Sequence, residues 1–411
     1  MKTMKETADR YSAVITREGD VLKIGLPPVL DRNNGPEVLS SIARSCGGGI
    51  RSIVFDAEKL RFISADGLDV ILETKKKFPD VPDIQIDRAR VGICDTLRSY
   101  GFDHFLNITK QYRFVSVKGC RVIGQGGHGT IYQIGEDTII KVYRDHSPLQ
   151  IIENERQYAR NAFINGIPTA IAYDVVQTEY GYGVIFEMIN GMTLGKYLDR
   201  HPEKAEEYGV KFADLLHTLH TTEADPELYK DFHDVYLERA ERAKEFIPEA
   251  DAEALKRIIL SIPRGSGMVH GDYHPNNVMI DDEGELMLID MADISRGNGF
   301  FDLGGTYMVM YFIAGILFLK GKVKKITSLD SALCRKMWEI VMKRYFAGKD
   351  EKQLEEYARQ YRAFSNIRIA ASLGMKSSRS AFLTRLMAIY TRKLIIPKTE
   401  EYIKIFSSLS E

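Results

Sequence analysis

Cysteine is scarce: Cys46, Cys94, Cys120 and Cys334 are the only four in 411 residues, and none stands in a CxxC spacing. That pattern supports neither a disulfide framework nor a zinc site, and a reducing, cytoplasmic setting is expected. Surplus charge is also missing, since 56 Lys and Arg nearly cancel 57 Asp and Glu. No nucleic-acid partner is implied. The first twenty residues, MKTMKETADRYSAVITREGD, lack the apolar core of a signal peptide, so secretion is not expected. No tract of Pro, Gly or Ser marks a flexible linker, and no internal repeat is evident. The one long uncharged run, Leu303 to Leu319, sits at the lower edge of a membrane span and is interrupted early by Gly304 and Gly305. It reads as a buried core helix, with no membrane partner.

What is present is an ordinary globular composition, 44% apolar, 27% charged and 10% aromatic. A chain of 411 residues exceeds what one hydrophobic core usually serves, so more than one domain is expected. From Tyr11 to about Val117, short apolar runs (VLKIGL, SIVFDA, DIQID, YRFVSV) alternate with amphipathic segments, the pattern of a small α/β layer. In RFISADGLDVILE a strand is expected to end at Phe62-Ile63, with Ser64 or Asp66 capping the helix that Gly67 and Leu68 begin. This stretch resembles a STAS domain, the module of bacterial anti-sigma factor antagonists, through FISADGLDVIL and the later GFDHFL. In signalling members of that family a serine of this loop accepts phosphate. Ala65 holds the acceptor position here, so the resemblance implies docking or regulation rather than the usual phospho-switch.

A second series of elements begins near Lys118. The segment RVIGQGGHGTIYQIGEDTIIKVY reads as strand, glycine turn, strand, strand. Gly124, Gly126, Gly127 and Gly129 form a GxGxxG-type loop whose backbone can approach phosphate oxygens closely. A dinucleotide fold would open a helix inside that loop, but β-like residues follow it. A kinase glycine loop fits better, with Lys141 reaching phosphates and His128 exposed at the tip. The helix of IIENERQYARNAFINGIPTA closes at Gly166 and brings Glu153 and Glu155 as partners for Lys141. Glu187 and Met188 end the strand GVIFEM, where backbone groups of a hinge would meet an adenine. His217 and His220, three apart on one helical face, read as packing residues.

The chemistry concentrates in GMVHGDYHPNNVMIDDEGELMLIDM. Asp272 and Asn277 share one polar loop, and Asp290 ends the next apolar strand. Phosphoryl transfer needs a carboxylate beside the attacking hydroxyl and oxygen ligands for Mg²⁺, and these three residues can supply both. From about residue 119 to the end the chain is similar to the aminoglycoside phosphotransferase and choline kinase superfamily of small-molecule kinases. HGDYHPNNV, LMLID, FFDLGG and LHTLH carry the resemblance, and Gly271 departs from the His-Arg-Asp of protein kinases. The two resemblances together imply an α/β STAS-like regulatory or docking domain over residues 1–117, followed by a bilobal protein-kinase-like fold with 118–190 as a β-rich N-lobe and 191–411 as a mostly helical C-lobe. The kinase resemblance further implies ATP and Mg²⁺ as cofactors, Asp272 as catalytic base, Asn277 and Asp290 as metal ligands, and Lys141 with Glu155 as the phosphate-positioning pair. His270, Asp302 and His274 are expected to brace the loop.

The implied activity is transfer of the γ-phosphoryl of ATP to an alcohol group of a small molecule. Beyond Leu303, Lys and Arg outnumber Asp and Glu by about two to one, a bias that a pocket for polycationic aminoglycosides is not expected to need. Other hydroxylated metabolites therefore stand ahead as acceptors. Two alternatives share the motifs: a nucleotide-binding signalling module acting on a protein partner through the STAS-like part, and a protein kinase that phosphorylates Ser64.

Overall fold

The computed structural model describes residues 12–126, 129–144, 147–375 and 380–409. The chain divides into two compact units. One comprises Met1–Ile134, Ile139–Ser147 and Asp174–Ile185, and the other Gly135–Thr138, Pro148–Tyr173 and Phe186–Glu411. The first therefore takes in the expected 1–117 domain together with most of the strands expected for an N-lobe.

In the first unit β1 (Val14–Glu18), β2 (Val21–Gly25), β3 (Val29–Leu30), α1 (Gly35–Ser45), β4 (Ser52–Asp56), β5 (Phe62–Ile63), α2 (Ala65–Lys77), β6 (Asp83–Arg90), α3 (Val91–Ser99) and β7 (Asn107–Gln111) succeed one another. The sheet order is β1-β2-β4-β6-β7. Neighbours from β2 to β7 are parallel, so their carboxyl ends share one edge, and only β1 is antiparallel. Parallel neighbours require crossovers, which the helices supply. Alternation in SIVFD turns Ile53 and Phe55 inward, where they join Leu22, Ile24, Val38, Ile42 and Ile86 in one core. Each fully buried Leu or Ile contributes about 1.5–3 kcal/mol. At α2 the expected cap is Ser64, which accepts a hydrogen bond from the Gly67 N–H at 3.2 Å. Asp66 instead lies in the first turn, and Lys75, Lys76 and Lys77 close the helix at its negative end.

Next come β8 (Arg113–Phe114), β9 (Arg121–Gln125), β10 (Gly129–Gln133), β11 (Thr138–Tyr143), α4 (Leu149–Ile164), β12 (Ala172–Thr178) and β13 (Gly181–Glu187). The strands form a second sheet in the order β8-β12-β13-β11-β10-β9. Val117, Ile140, Val142, Val176 and Ile185 fill its separate small core.

The second unit is mainly helical: β14 (Gly191–Thr193), α5 (Leu194–Arg200), α6 (Ala205–Thr221), α7 (Phe232–Arg242), α8 (Glu249–Leu260), β15 (Gly267–Val269), β16 (Val278–Asp281), β17 (Leu286–Leu288), β18 (Ser295–Gly297), α9 (Phe300–Tyr307), α10 (Lys320–Thr327), α11 (Ser331–Tyr345), α12 (Glu351–Ala371), α13 (Ala381–Tyr390) and α14 (Thr399–Ser407). The short strands make a three-stranded sheet, β14-β16-β17, and the pair β15-β18. Phe232, Tyr236, Phe301 and Phe364 pack edge-on or tilted with ring centroids 4.9–5.6 Å apart and fasten α7, α9 and α12 together. The expected core helix over Leu303 to Leu319 is only partly present. Regular α9 gives way to a π turn at Met308–Phe312 and a tight turn at Ile313–Gly315, and the chain becomes extended at Ile316 (φ −97°, ψ 114°). The break turns the last residues off the buried face, leaving Leu317 76% and Phe318 86% exposed. Among the described residues no single helix is long and apolar enough to cross a membrane. The pair 300–315 and 317–327 has sufficient length only across a bend of 114°.

Candidate active site

The glycine-rich segment is a hairpin. Gln125 pairs with Thr130 and Gly124 with Ile131, and the Gly126 N–H donates to the Gly129 carbonyl at 2.9 Å. A Cβ on Gly129 would lie 2.1 Å from the Val142 carbonyl oxygen, so a close approach to β11 requires glycine there. Gly127 and His128 lie outside the described residues. A cavity of about 400 Å³ adjoins the hairpin, lined in part by Gln125, Gly126, Gly129, Arg144 and Tyr180. On β11 Lys141 stands opposite Ile131, with its Nζ 5.2 Å from the ring centre of Tyr143.

In the second unit Glu155 is 1% exposed and Glu153 only half-buried. A carboxylate so completely buried must hold a partner, so burial favours Glu155 as the functional acid of this helix. At the expected hinge the Glu187 N–H donates to the Ile171 carbonyl and the Met188 N–H to the Asp137 carbonyl. These two donors are engaged within the protein, so among the backbone groups expected at the hinge the N–H groups of Glu187 and Met188 already have partners.

The polar loop between β15 and β16 is held from beneath by Asp302, on the first turn of α9. Its buried carboxylate accepts from the His270 N–H (2.6 Å) and the Gly271 N–H (2.7 Å). It is also 3.1 Å from His220 Nε2, while His220 Nδ1 lies 2.7 Å from the Tyr345 hydroxyl. Burial, followed by the charge of Asp302, pushes Tyr345 well above the usual tyrosine range. Tyr345 therefore remains a proton donor, which fixes His220 as the tautomer donating from Nε2 to Asp302. His217 packs edge-on against Tyr345. Both histidines of LHTLH are thus packing and bracing residues, as their spacing suggested.

Gly271 adopts φ +84°, and a Cβ there would crowd Asp293 and Phe232 at 3.0–3.3 Å. The turn lifts Asp272 so that its side chain is half exposed. The Asn277 amide donates to the Asp272 main-chain carbonyl at 2.9 Å, closing the loop across five residues. His274 Nδ1 accepts from the Asn276 N–H at 3.3 Å, leaving Nε2, 3.4 Å from Asp272 Oδ2, to donate to that carboxylate. Arg368 of α12 approaches from the other side, 3.8 Å from Asp272 Oδ1 and 3.4 Å from the Gly271 carbonyl. Burial alone would raise the Asp272 pKa. His274, through its hydrogen bond and charge, together with Arg368 and His270, more than offsets this and holds it at about 2. Such a weakly basic carboxylate cannot hold a proton ahead of reaction. A carboxylate of this kind can orient a hydroxyl and accept a proton only late in a reaction, which is compatible with a loose phosphoryl transition state. Arg368 was not foreseen: it lies 96 residues downstream of Asp272 inside a helix with no motif around it.

Asp290 has φ +62° and ψ +61°, a left-handed conformation that costs a residue with a Cβ about 1–2 kcal/mol and sets it apart from the strand before it. The Ile289 N–H donates to the Asn277 carbonyl at 3.0 Å, so the two expected metal ligands come from adjoining backbone. Among the described residues no three His, Cys, Asp or Glu side chains gather as a metal-binding group. The donor set still fits Mg²⁺. The Asn277 NH₂ faces a carbonyl, so its oxygen does not serve that bond, and it and the Asp290 carboxylate are hard oxygen donors; Mg²⁺ commonly takes few protein ligands and completes its shell from phosphates and water.

Residues 119–327, just over half the chain, match the sequence model of the phosphotransferase enzyme family (APH), and the chain belongs to that family. No curated protein matches the chain. Solved structures with loosely similar folds include ADP-bound aminoglycoside phosphotransferase APH(2'')-Ib, at 16% identity and a TM-score of 0.45, covering 77% of this chain and 98% of its own. The gentamicin complex of APH(2'')-IIa has 14% identity and a TM-score of 0.47 over the same shares. For APH(3'')-Id from Streptomyces rimosus the values are 17% and 0.38, covering 65% of this chain and 96% of its own. At these scores the likeness carries no inference about substrate.

Proposed function

We propose that the protein is an ATP- and Mg²⁺-dependent kinase that moves the γ-phosphoryl group to a hydroxyl of a small molecule. The observation that carries this reading is the half-exposed Asp272 carboxylate, held at about 2 on a loop that Asp302 and Asn277 fix in place. Asp272 orients the acceptor hydroxyl and takes its proton as the bond to phosphorus forms. Asn277 and Asp290 would hold the metal, which would supply neutralisation of phosphate charge. Lys141, Glu155 and the backbone of the glycine hairpin are assigned to positioning the phosphates, and backbone groups at Glu187 and Met188 to meeting the base. Residues 1–117 form a STAS-like domain that regulates the enzyme or docks a protein partner, followed by an N-lobe at 118–190 and a C-lobe at 191–411.

The decisive experiment is a Mg·ATP consumption screen against pooled hydroxylated metabolites, with the Asp272→Ala protein as control. Phosphate transfer that the substitution abolishes is expected. Absence of transfer to every pool, together with absence of nucleotide binding, would overturn the reading.

A further inference from the structure

A cavity of about 880 Å³ is in the first unit, lined by none of the residues assigned to the catalytic loop. It lies at the carboxyl edge of the parallel sheet. Its walls come from the segments that follow β2, β4, β6 and β7 in turn. That edge is where open α/β sheets place ligands, because the loops leaving parallel strands diverge there.

The lining is basic. Lys59 and Arg61 follow β4, Arg90 ends β6, and Arg113 follows β7. None of the four has an ion-pair partner among the described residues, whereas the one lining acid, Glu58, is bound to Arg88 at 2.6 Å. Arg90 is also the N-cap residue of α3 and offers no side-chain acceptor to it. Four like charges around one cavity repel one another, and an anion relieves that repulsion. Apolar surface stands beside them: Pro28 and Val29 on one side, Tyr112 and the 57% exposed Phe114 on the other. The volume lies within the range of small-molecule pockets and far exceeds what a bare phosphate fills.

We propose that this cavity is a second ligand site, separate from the catalytic loop, that takes a nucleoside phosphate: the phosphates among Lys59, Arg61, Arg90 and Arg113, the base against Tyr112 and Phe114. The site gives the N-terminal part a small-molecule input of its own, and it stands whether or not the chain transfers phosphate.

Equilibrium dialysis of the full chain with ADP tests it, using inorganic pyrophosphate as a probe without a ring. With Lys141→Ala and Asp290→Ala in place to disable the catalytic site, one saturable ADP site is expected to remain. Adding Arg61→Gln and Arg90→Gln weakens it at least about 10-fold, the loss expected for two charge-assisted contacts. Lys77→Glu, at the opposite end of α2, leaves it unchanged, and pyrophosphate binds more weakly than ADP. A neutral Gln pair whose melting curve matches the parent excludes unfolding as the cause. The proposal is overturned if the disabled chain retains no ADP, if the Gln pair binds as before, if Lys77→Glu weakens binding equally, or if an acidic peptide binds where ADP does not.

Discussion

Asp302 gathers two backbone N–H groups and a histidine onto one buried carboxylate, whereas Lys59, Arg61, Arg90 and Arg113 surround a cavity with no acid of their own to answer them. The first arrangement is complete within the protein. Its polar groups satisfy one another, so the geometry around Asp272 exists before any substrate arrives and needs no reorganisation during reaction. The second is incomplete: it leaves charge to be neutralised by something that comes and goes. A polar cluster inside a fold is thus informative through its unsatisfied groups as much as through its bonds.

The contrast can be broken at several points. Asp272→Ala should have the largest effect, lowering turnover by about 10² to 10⁴ while the loop keeps its shape, because Asp302 and not Asp272 holds it. A steady-state assay and a melting curve separate the two outcomes, and an unfolded variant would erase the distinction between chemistry and scaffold. Asp302→Ala tests the scaffold itself. Removing the shared acceptor leaves two N–H groups and His220 unpaired, and denaturant titration should show a loss of about 3–5 kcal/mol. Ser64→Ala, in the N-terminal part, removes only a helix cap and should cost about 1 kcal/mol by the same measurement.

A pH series refines the picture with the smallest effect. The folded-state pKa of Asp272, about 2, is below the unfolded value of about 3.9, so its contribution is complete above pH 4 and lost as the pH falls through 2. Its side chain is half exposed, and screening keeps the contribution below about 1 kcal/mol. Urea midpoints of the parent and Asp272→Asn should therefore converge between pH 4 and 2.

The polar loop was legible in sequence because its residues lie close together in the chain. Asp272 and Asn277 share one loop, so the hydrogen bond between them spans five residues, whereas Asp302 reaches the His270 and Gly271 N–H groups from 32 and 31 residues away. At the expected hinge, chain order put Glu187 and Met188 at a strand end, but that their N–H groups bond to Ile171 and Asp137 was not visible in sequence, because hydrogen-bond partners from other segments leave no mark in a local pattern. The run Leu303 to Leu319 misled for a related reason, since its apolar composition cannot report that the helix breaks at Ile316 and exposes Phe318. Ser64 was legible as a cap because capping acts over three residues.

By itself the sequence determined the reaction class, the glycine hairpin with Lys141, and the α/β pattern of the N-terminal part, all properties set by residue type and spacing within short windows. Tertiary structure alone decided that Arg368 stands beside Asp272, that Tyr345 orients His220, and that four basic residues from three separate segments share a cavity. These are contacts between distant segments, and only the sheet and helix packing that brings the segments together determines which charges meet and which are left without a partner.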